Sequence, residues 1–185
     1  MIKKLLSVAL FPILVASCMS NSSNITLPKT LNASLNISDK KINKCEDDNI
    51  TVKISYAVDG DTLVYYCDWK SYKIRMLGID TPETKHPSKP VQCFWKEASN
   101  KMKKLVEDKK VILKINKSSW NKDKYWRLLR YVYLWNKDIW ATMISEGYAF
   151  SYKRFPHSKL NSYNLLEVSA KKEMAWLWDG TRCDY

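Results

Sequence analysis

The stretch "ITVKISYAVDGDTLVYYC", residues 50 to 67, constrains the fold more than any other part of the chain. Apolar and polar residues alternate on both sides of an Asp-Gly pair, and a period of two sends successive side chains to opposite faces of a strand. Asp-Gly between two such runs predicts a hairpin, because glycine tolerates the backbone that tight hairpin turns require. "SYKIRMLGI" (71–79) predicts a third strand, and "VILKI" (111–115) and "RLLRYVYLW" (127–135) predict two more across the polar loop "NKSSWNKDKYW". In "EASNKMKKLVEDKK", Ala98, Met102, Leu105 and Val106 have the spacing of one helix face, with lysines on the other. A short helix over "IWATMISE" stops at Gly147, and a third, from Ser158 to Met174, carries Tyr163, Leu166 and Ala170 on one face. Five short strands with helices after the third and the fifth predict an α+β domain. They are compatible with a five-stranded Greek-key β-barrel of the OB type with three helices, and periodicity alone leaves other α+β arrangements open.

The N-terminus reads as a targeting segment. "MIKK" supplies positive charge and "LLSVALFPILVAS" is an apolar run too short for a comfortable membrane span. "LVASC" then ends in small residues before Cys18, which resembles the lipobox of bacterial lipoproteins; the alternative is an ordinary cleaved signal. On the lipoprotein reading, residues 1 to 17 are removed, Cys18 carries lipid, and residues 18 to 44, rich in Ser and Asn, form a flexible tether to a folded domain over 45 to 185. The expected location is the bacterial cell envelope, periplasmic or at the cell surface, with an N-terminal lipid anchor in a membrane.

Export sets the reading of the cysteines. Cys45, Cys67, Cys93 and Cys183 are an even number in an oxidising compartment, which predicts two disulfides among three possible connectivities. Cys45 lies just before the first strand and Cys67 ends the second, so both fall near the open end of the hairpin and are expected to pair. Cys93 and Cys183 are left to each other. Only two histidines, His86 and His157, are present, which argues against a His-based metal or triad site. The net charge of +12, or +10 once Lys3 and Lys4 leave with the leader, points to a polyanionic partner such as nucleic acid or an anionic surface. With 8 Trp and 11 Tyr the chain can fill an aromatic core and still leave rings to stack on bases.

Three stretches taken together are specific: "VDGDT" (58–62), "IRMLGIDTPETKHP" (74–87) and "DKYWRLLRYVY" (123–133). In this order and spacing they resemble the staphylococcal nuclease, or thermonuclease, family, over roughly residues 50 to 178. The resemblance implies an OB-fold barrel with three helices, dependence on calcium, and cleavage of phosphodiesters in DNA and RNA; a monomer is expected. Hydrolysis by water asks for a hard cation, cationic donors for the phosphoryl oxygens and an acceptor for the water's proton. Asp61 and Asp80, with the backbone carbonyl of Thr81, supply hard oxygens of the kind that suits Ca2+. Glu83 is expected to be the general base, aimed by the Pro that follows Thr81. Arg75 and Arg127 are the expected phosphate donors, since guanidinium forks match phosphate oxygens and stay charged. Arg130 is assigned to a surface ion pair instead.

For substrate binding, the resemblance implies Asp123, Lys124 and Tyr125 at the phosphate end of a nucleotide, Lys89 on the following loop, and Tyr152 where a stacking Tyr is expected. The chain departs from the family pattern at Trp126, a position commonly Gly, and by about two residues after Gly147. The competing readings are a catalytically silent nucleic-acid-binding OB-fold lipoprotein and a structural surface lipoprotein.

Overall fold

The structure, a computed structural model, describes residues 43–82 and 92–181. Cys18, Glu83, Lys89 and Cys183 therefore lie outside the described residues, as do the leader and nearly all of the tether.

The hairpin read around Asp-Gly is formed by β1 (Ile50–Ala57) and β2 (Thr62–Cys67), antiparallel, with β3 (Lys70–Met76) antiparallel to β2. In β1, Val52, Ile54 and Ala57 point into the core. The step of three between Ile54 and Ala57 breaks strict alternation, and the register against β2 slips between Ile54 and Tyr56. An extra residue there bends the strand, as barrels require. A two-residue strand β4 (Ile79–Asp80) precedes helix α1 (Trp95–Val106), which buries Ala98, Met102 and Val106. The strands β5 (Lys110–Lys114) and β6 (Leu128–Leu134) follow. Pairing of β5 with β1 and of β6 with β5 is antiparallel, and β6 then meets β3 in parallel, Arg75 opposite Leu129. That last pairing closes five strands into a barrel, β1-β2-β3-β6-β5. The α+β, OB-type expectation holds.

β7 (Lys137–Asp138) leads into helix α2 (Ile139–Ser145), whose first turn is capped by the Asp138 carboxylate accepting from the N–H groups of Trp140 and Ala141. Another two-residue strand, β8 (Phe150–Ser151), pairs with β4, and helix α3 (Leu160–Lys172) packs behind it through Tyr163, Glu167 and Ala170. Gly147 has φ 76° and sits under the Ala175 carbonyl, so it both ends α2 and admits the chain after α3.

Arg130 corrects the expectation of a surface ion pair. It is fully buried on β6, where its guanidinium donates to the Asn121 side-chain oxygen at 2.7 Å and to the carbonyls of Leu129 and Glu46. Carbonyl dipoles from three segments compensate the buried charge, so a residue type that reads as surface serves as an internal clasp. Cys45 and Cys67 are joined by a disulfide at the open end of the β1/β2 hairpin. Cys93 is also disulfide-bonded.

Candidate active site

The barrel brings Asp61, Arg75, Asp80 and Thr81 together from three elements. Asp61 ends the turn before β2, and its carbonyl accepts from the Met76 N–H at 3.0 Å, which locks the turn to β3 beside Arg75. From β3 the Arg75 guanidinium reaches two carboxylates at once: Nη1 lies 3.1 Å from Asp61 Oδ2 and Nη2 3.0 Å from Asp80 Oδ1. Nη1 also donates to the carbonyls of Ile79 and Met76, so Arg75 ties the 76–80 segment to itself as well as to the acids. Burial disfavours the charge on Arg75, but Asp61, Asp80 and Asp59 outweigh it and hold its pKa above the ordinary value.

Thr81 completes the corner. Its N–H and hydroxyl both donate to Asp61 Oδ2 at 3.3 Å, while Asp61 Oδ1 accepts from the Thr62 hydroxyl at 3.1 Å. Gly60 is required for this: a Cβ there would stand 2.8 Å from the Thr81 side chain. Glycine in the Asp-Gly-Asp turn thus serves close approach of Thr81. Support from behind comes from α3. The Glu167 carboxylate accepts from the Ser151 N–H at 3.2 Å, Ser151 Oγ lies 2.7 Å from Asn164 Oδ1, and Ser151 faces Ile79 across the β8/β4 pair that carries Asp80.

Arg127 sits one residue before β6. Arg75 opposes Leu129 across the β3/β6 seam, so Arg127 stands at the entry to the strand that pairs with Arg75. Its environment differs from that of Arg75. Arg127 Nε donates to Asp123 Oδ2 at 2.7 Å, and its terminal Nη atoms have no hydrogen-bond partner among the described residues. Asp123 Oδ1 also accepts from the N–H groups of Tyr125 and Arg127, so Asp123 is committed to shaping the loop and orienting Arg127. Lys124 and Tyr125 are exposed beside it, with Lys124 Nζ 4.9 Å and the Arg127 guanidinium 5.4 Å from the Tyr125 ring.

The profile of a family described as "Staphylococcal nuclease homologue" matches residues 73–180, more than half of the chain. The chain belongs to the staphylococcal nuclease family. Over 131 residues it is 37% identical to Endonuclease YncB of Bacillus subtilis (strain 168), covering 70% of this chain and 62% of that protein. It is 40% identical over 99 residues to the Thermonuclease of Staphylococcus hyicus, covering 54% of this chain and 57% of that one. To the Thermonuclease of Staphylococcus intermedius it is 36% identical over 120 residues, 65% and 68% respectively. The chain thus spans less than two thirds of the length of the first two.

Within this family frame, the departure at Trp126 has a structural reason. Its φ is 63°, a left-handed backbone that glycine adopts freely and Trp adopts at a cost, and the indole stands in solvent, where it meets no packing constraint. The turn is intact, with the Trp126 N–H donating to the Asp123 carbonyl at 3.0 Å. Tyr152 follows β8 directly, and despite the shortened segment its N–H donates to the Gly78 carbonyl at 3.0 Å, which ties it to the segment between Arg75 and Asp80.

One residue of the site escaped the sequence reading. Asp59 accepts from the Asp61 N–H at 3.0 Å, and burial together with the neighbouring Asp61 carboxylate pushes its pKa up to about 6. The signal was present as the first Asp of "VDGDT", but a first turn Asp reads as a hairpin former. Three carboxylates, from Asp59, Asp61 and Asp80, thus surround one guanidinium, and with the Thr81 carbonyl they offer only hard oxygen donors. That donor set fits a hard divalent cation. Its carboxylates are spread around Arg75 and not drawn to a point. Among the described residues the tightest ligand-type trio is Cys45, Cys67 and Asp68, and two of its members are spent on the disulfide.

Proposed function

We propose that this protein is an exported, calcium-dependent nuclease that hydrolyses phosphodiester bonds of DNA and RNA. The observation that carries the reading is the division of labour between the two arginines. Arg75 is bonded to Asp61 and Asp80 and sets their spacing, whereas Arg127 holds its terminal donors clear at the same seam. Asp61, Asp80 and the Thr81 carbonyl would hold Ca2+, with Asp59 as an additional acceptor nearby. When bound, such an ion supplies positive charge for the phosphoryl oxygens and favours deprotonation of water.

The protein's own groups do the rest. Arg127 presents two terminal N–H donors to the non-bridging oxygens of the scissile phosphate, where charge grows as water attacks phosphorus and an ester P–O bond breaks. Asp123 keeps that fork from turning away. Glu83 takes the proton of the attacking water, and Glu83→Gln should lower the rate by about 100-fold or more. Lys124, Tyr125 and Lys89 contact the nucleotide, and Tyr152 packs against it from the β8 side. The basic charge of the whole chain raises the local concentration of polyanion.

On the lipoprotein reading of the leader and Cys18, this activity is exported, on a monomer attached to a membrane by lipid. Degradation of plasmid DNA and of RNA with calcium, and its loss in chelator, tests the enzymatic reading; undiminished cleavage in chelator overturns the metal assignment. Labelled lipid entering the wild-type precursor and not Cys18→Ala tests the anchor.

A further inference from the structure

Two of the most exposed large apolar side chains lie on one loop beside Arg127. Trp120 is 85% exposed and Trp126 80%, with Tyr125 between them in sequence at 66%. Leaving two indoles in water forgoes the burial that most tryptophans obtain. This loop is not loosely tethered. Leu129 N–H donates to the Asn121 carbonyl at 2.9 Å, Lys122 bridges Leu128, and Asp123 N–H donates to the Arg127 carbonyl at 3.0 Å. The backbone is therefore fixed with its rings held outward, and Trp126 keeps a left-handed φ to stay there.

Cations interleave with the rings. Lys122 Nζ, ion-paired with Glu46 at 2.8 Å, lies 5.8 Å from the Trp126 ring, the exposed Lys124 Nζ lies 4.9 Å from the Tyr125 ring, and Lys117 lines a shallow open depression with Ser118, Ser119 and Trp120. The described residues also expose Trp69, which lines an open depression with Tyr66, and Trp135, but these stand at the tips of the β2/β3 and β6/β7 hairpins, apart from Arg127 in sequence and register. Among the described residues, only the 117–126 loop joins aromatic faces, lysines and direct chain continuity with Arg127. Rings for base stacking and cations for a backbone are the two requirements of a single-strand groove.

We propose that Trp120 and Trp126 form a stacking platform for unpaired bases, so that a single-stranded stretch of DNA or RNA next to the phosphate held at Arg127 runs along the 117–126 loop. The proposal rests on the nuclease reading and adds to it a binding site beyond the reacting phosphate. A paired duplex would gain little, because its bases are already stacked on one another.

The test is binding of the whole protein, in chelator, to labelled oligothymidylate, to an abasic strand of equal length and to a duplex. Trp120→Ala and Trp126→Asn are compared with wild type, Asn being chosen because it tolerates the left-handed backbone. Each variant should lose about 5- to 150-fold in affinity for oligothymidylate, the span of base–aromatic stacking, with little change for the duplex. Trp120→Phe should recover much of the loss. Wild-type affinity that is equal for abasic and thymidylate strands, or variants that bind single strands normally, would overturn the platform. So would a fluorescence shift with anionic phosphatidylglycerol vesicles that both variants abolish while strand binding stays intact, which reassigns this face to lipid. Cleavage in calcium, scored separately, tells failure of the platform from failure of the nuclease reading.

Discussion

Thr81 rests directly on Gly60: a single carbon added to Gly60 would stand 2.8 Å from the Thr81 Cγ2 and Oγ1 atoms. Through that contact a turn in the β1/β2 hairpin sets the position of a residue 21 places further along the chain, and Thr81 in turn holds the Asp61 carboxylate with two hydrogen bonds.

Gly60→Ala should therefore act on the proposed calcium site more than on the fold. The Thr81 N–H and hydroxyl would be pushed off Asp61, and the overpacking should cost about 1–3 kcal/mol. The expected outcome is a calcium affinity reduced at least several-fold with a circular dichroism spectrum like wild type. Unchanged calcium binding by isothermal titration would contradict the contact.

The two arginines should separate when replaced. Arg75→Ala leaves Asp61 without its ion partner and should lower stability by about 3 kcal/mol, the scale of a broken buried pair. Arg127→Ala leaves Asp123 with two backbone donors and should cost less than about 1 kcal/mol, while cleavage falls by about 100-fold or more. Denaturant melts and initial rates on both variants measure this, and similar stability losses for the two would undo the division of roles.

Asp59 should give a proton signature to metal binding. Its folded pKa, raised to about 6 by burial and by Asp61, lies above the ordinary 3.8. Between those values the folded chain holds a proton that the unfolded chain has lost, so this group favours the fold as pH falls through 6 and opposes it above. A cation nearby draws the pKa down again. Calcium titrated at pH 6 should release protons, seen as a dependence of the binding heat on buffer ionisation, and Asp59→Asn should reduce that release.

His157 should limit stability in mild acid. Its ring is buried against Gly78, Nδ1 lies 3.0 Å from the Tyr131 hydroxyl, and burial together with Lys159 holds its pKa below the usual 6.5. The unfolded chain takes up this proton first as pH falls, so the contribution is complete above 6.5 and is lost from there toward the folded pKa. Urea midpoints should drop between pH 7.5 and 5, and His157→Gln should flatten that drop. An identical slope in the variant would place the acid sensitivity elsewhere.

What local pattern encodes, the sequence by itself determined. Alternation over 50–67 predicted β1 and β2, and Ala98, Met102 and Val106 at helical spacing predicted the buried face of α1, because periods of two and near four are properties of the chain alone. The motif residues Asp61, Arg75, Asp80 and Thr81 could be picked out for the same reason: their chemistry is carried by identity and spacing. Tertiary structure decided the rest. The strands β4 and β8 are two residues each, too short for any period, and exist only because they pair with one another. Arg130 reads as a surface cation, and only carbonyls of Leu129 and Glu46 with the Asn121 side chain, from three separate segments, make its burial tolerable. Asp59 reads as a turn former, and its raised pKa comes from burial beside Asp61 in the closed barrel. Burial and charge proximity are sums over distant parts of the chain, so they come into being only when β6 closes on β3.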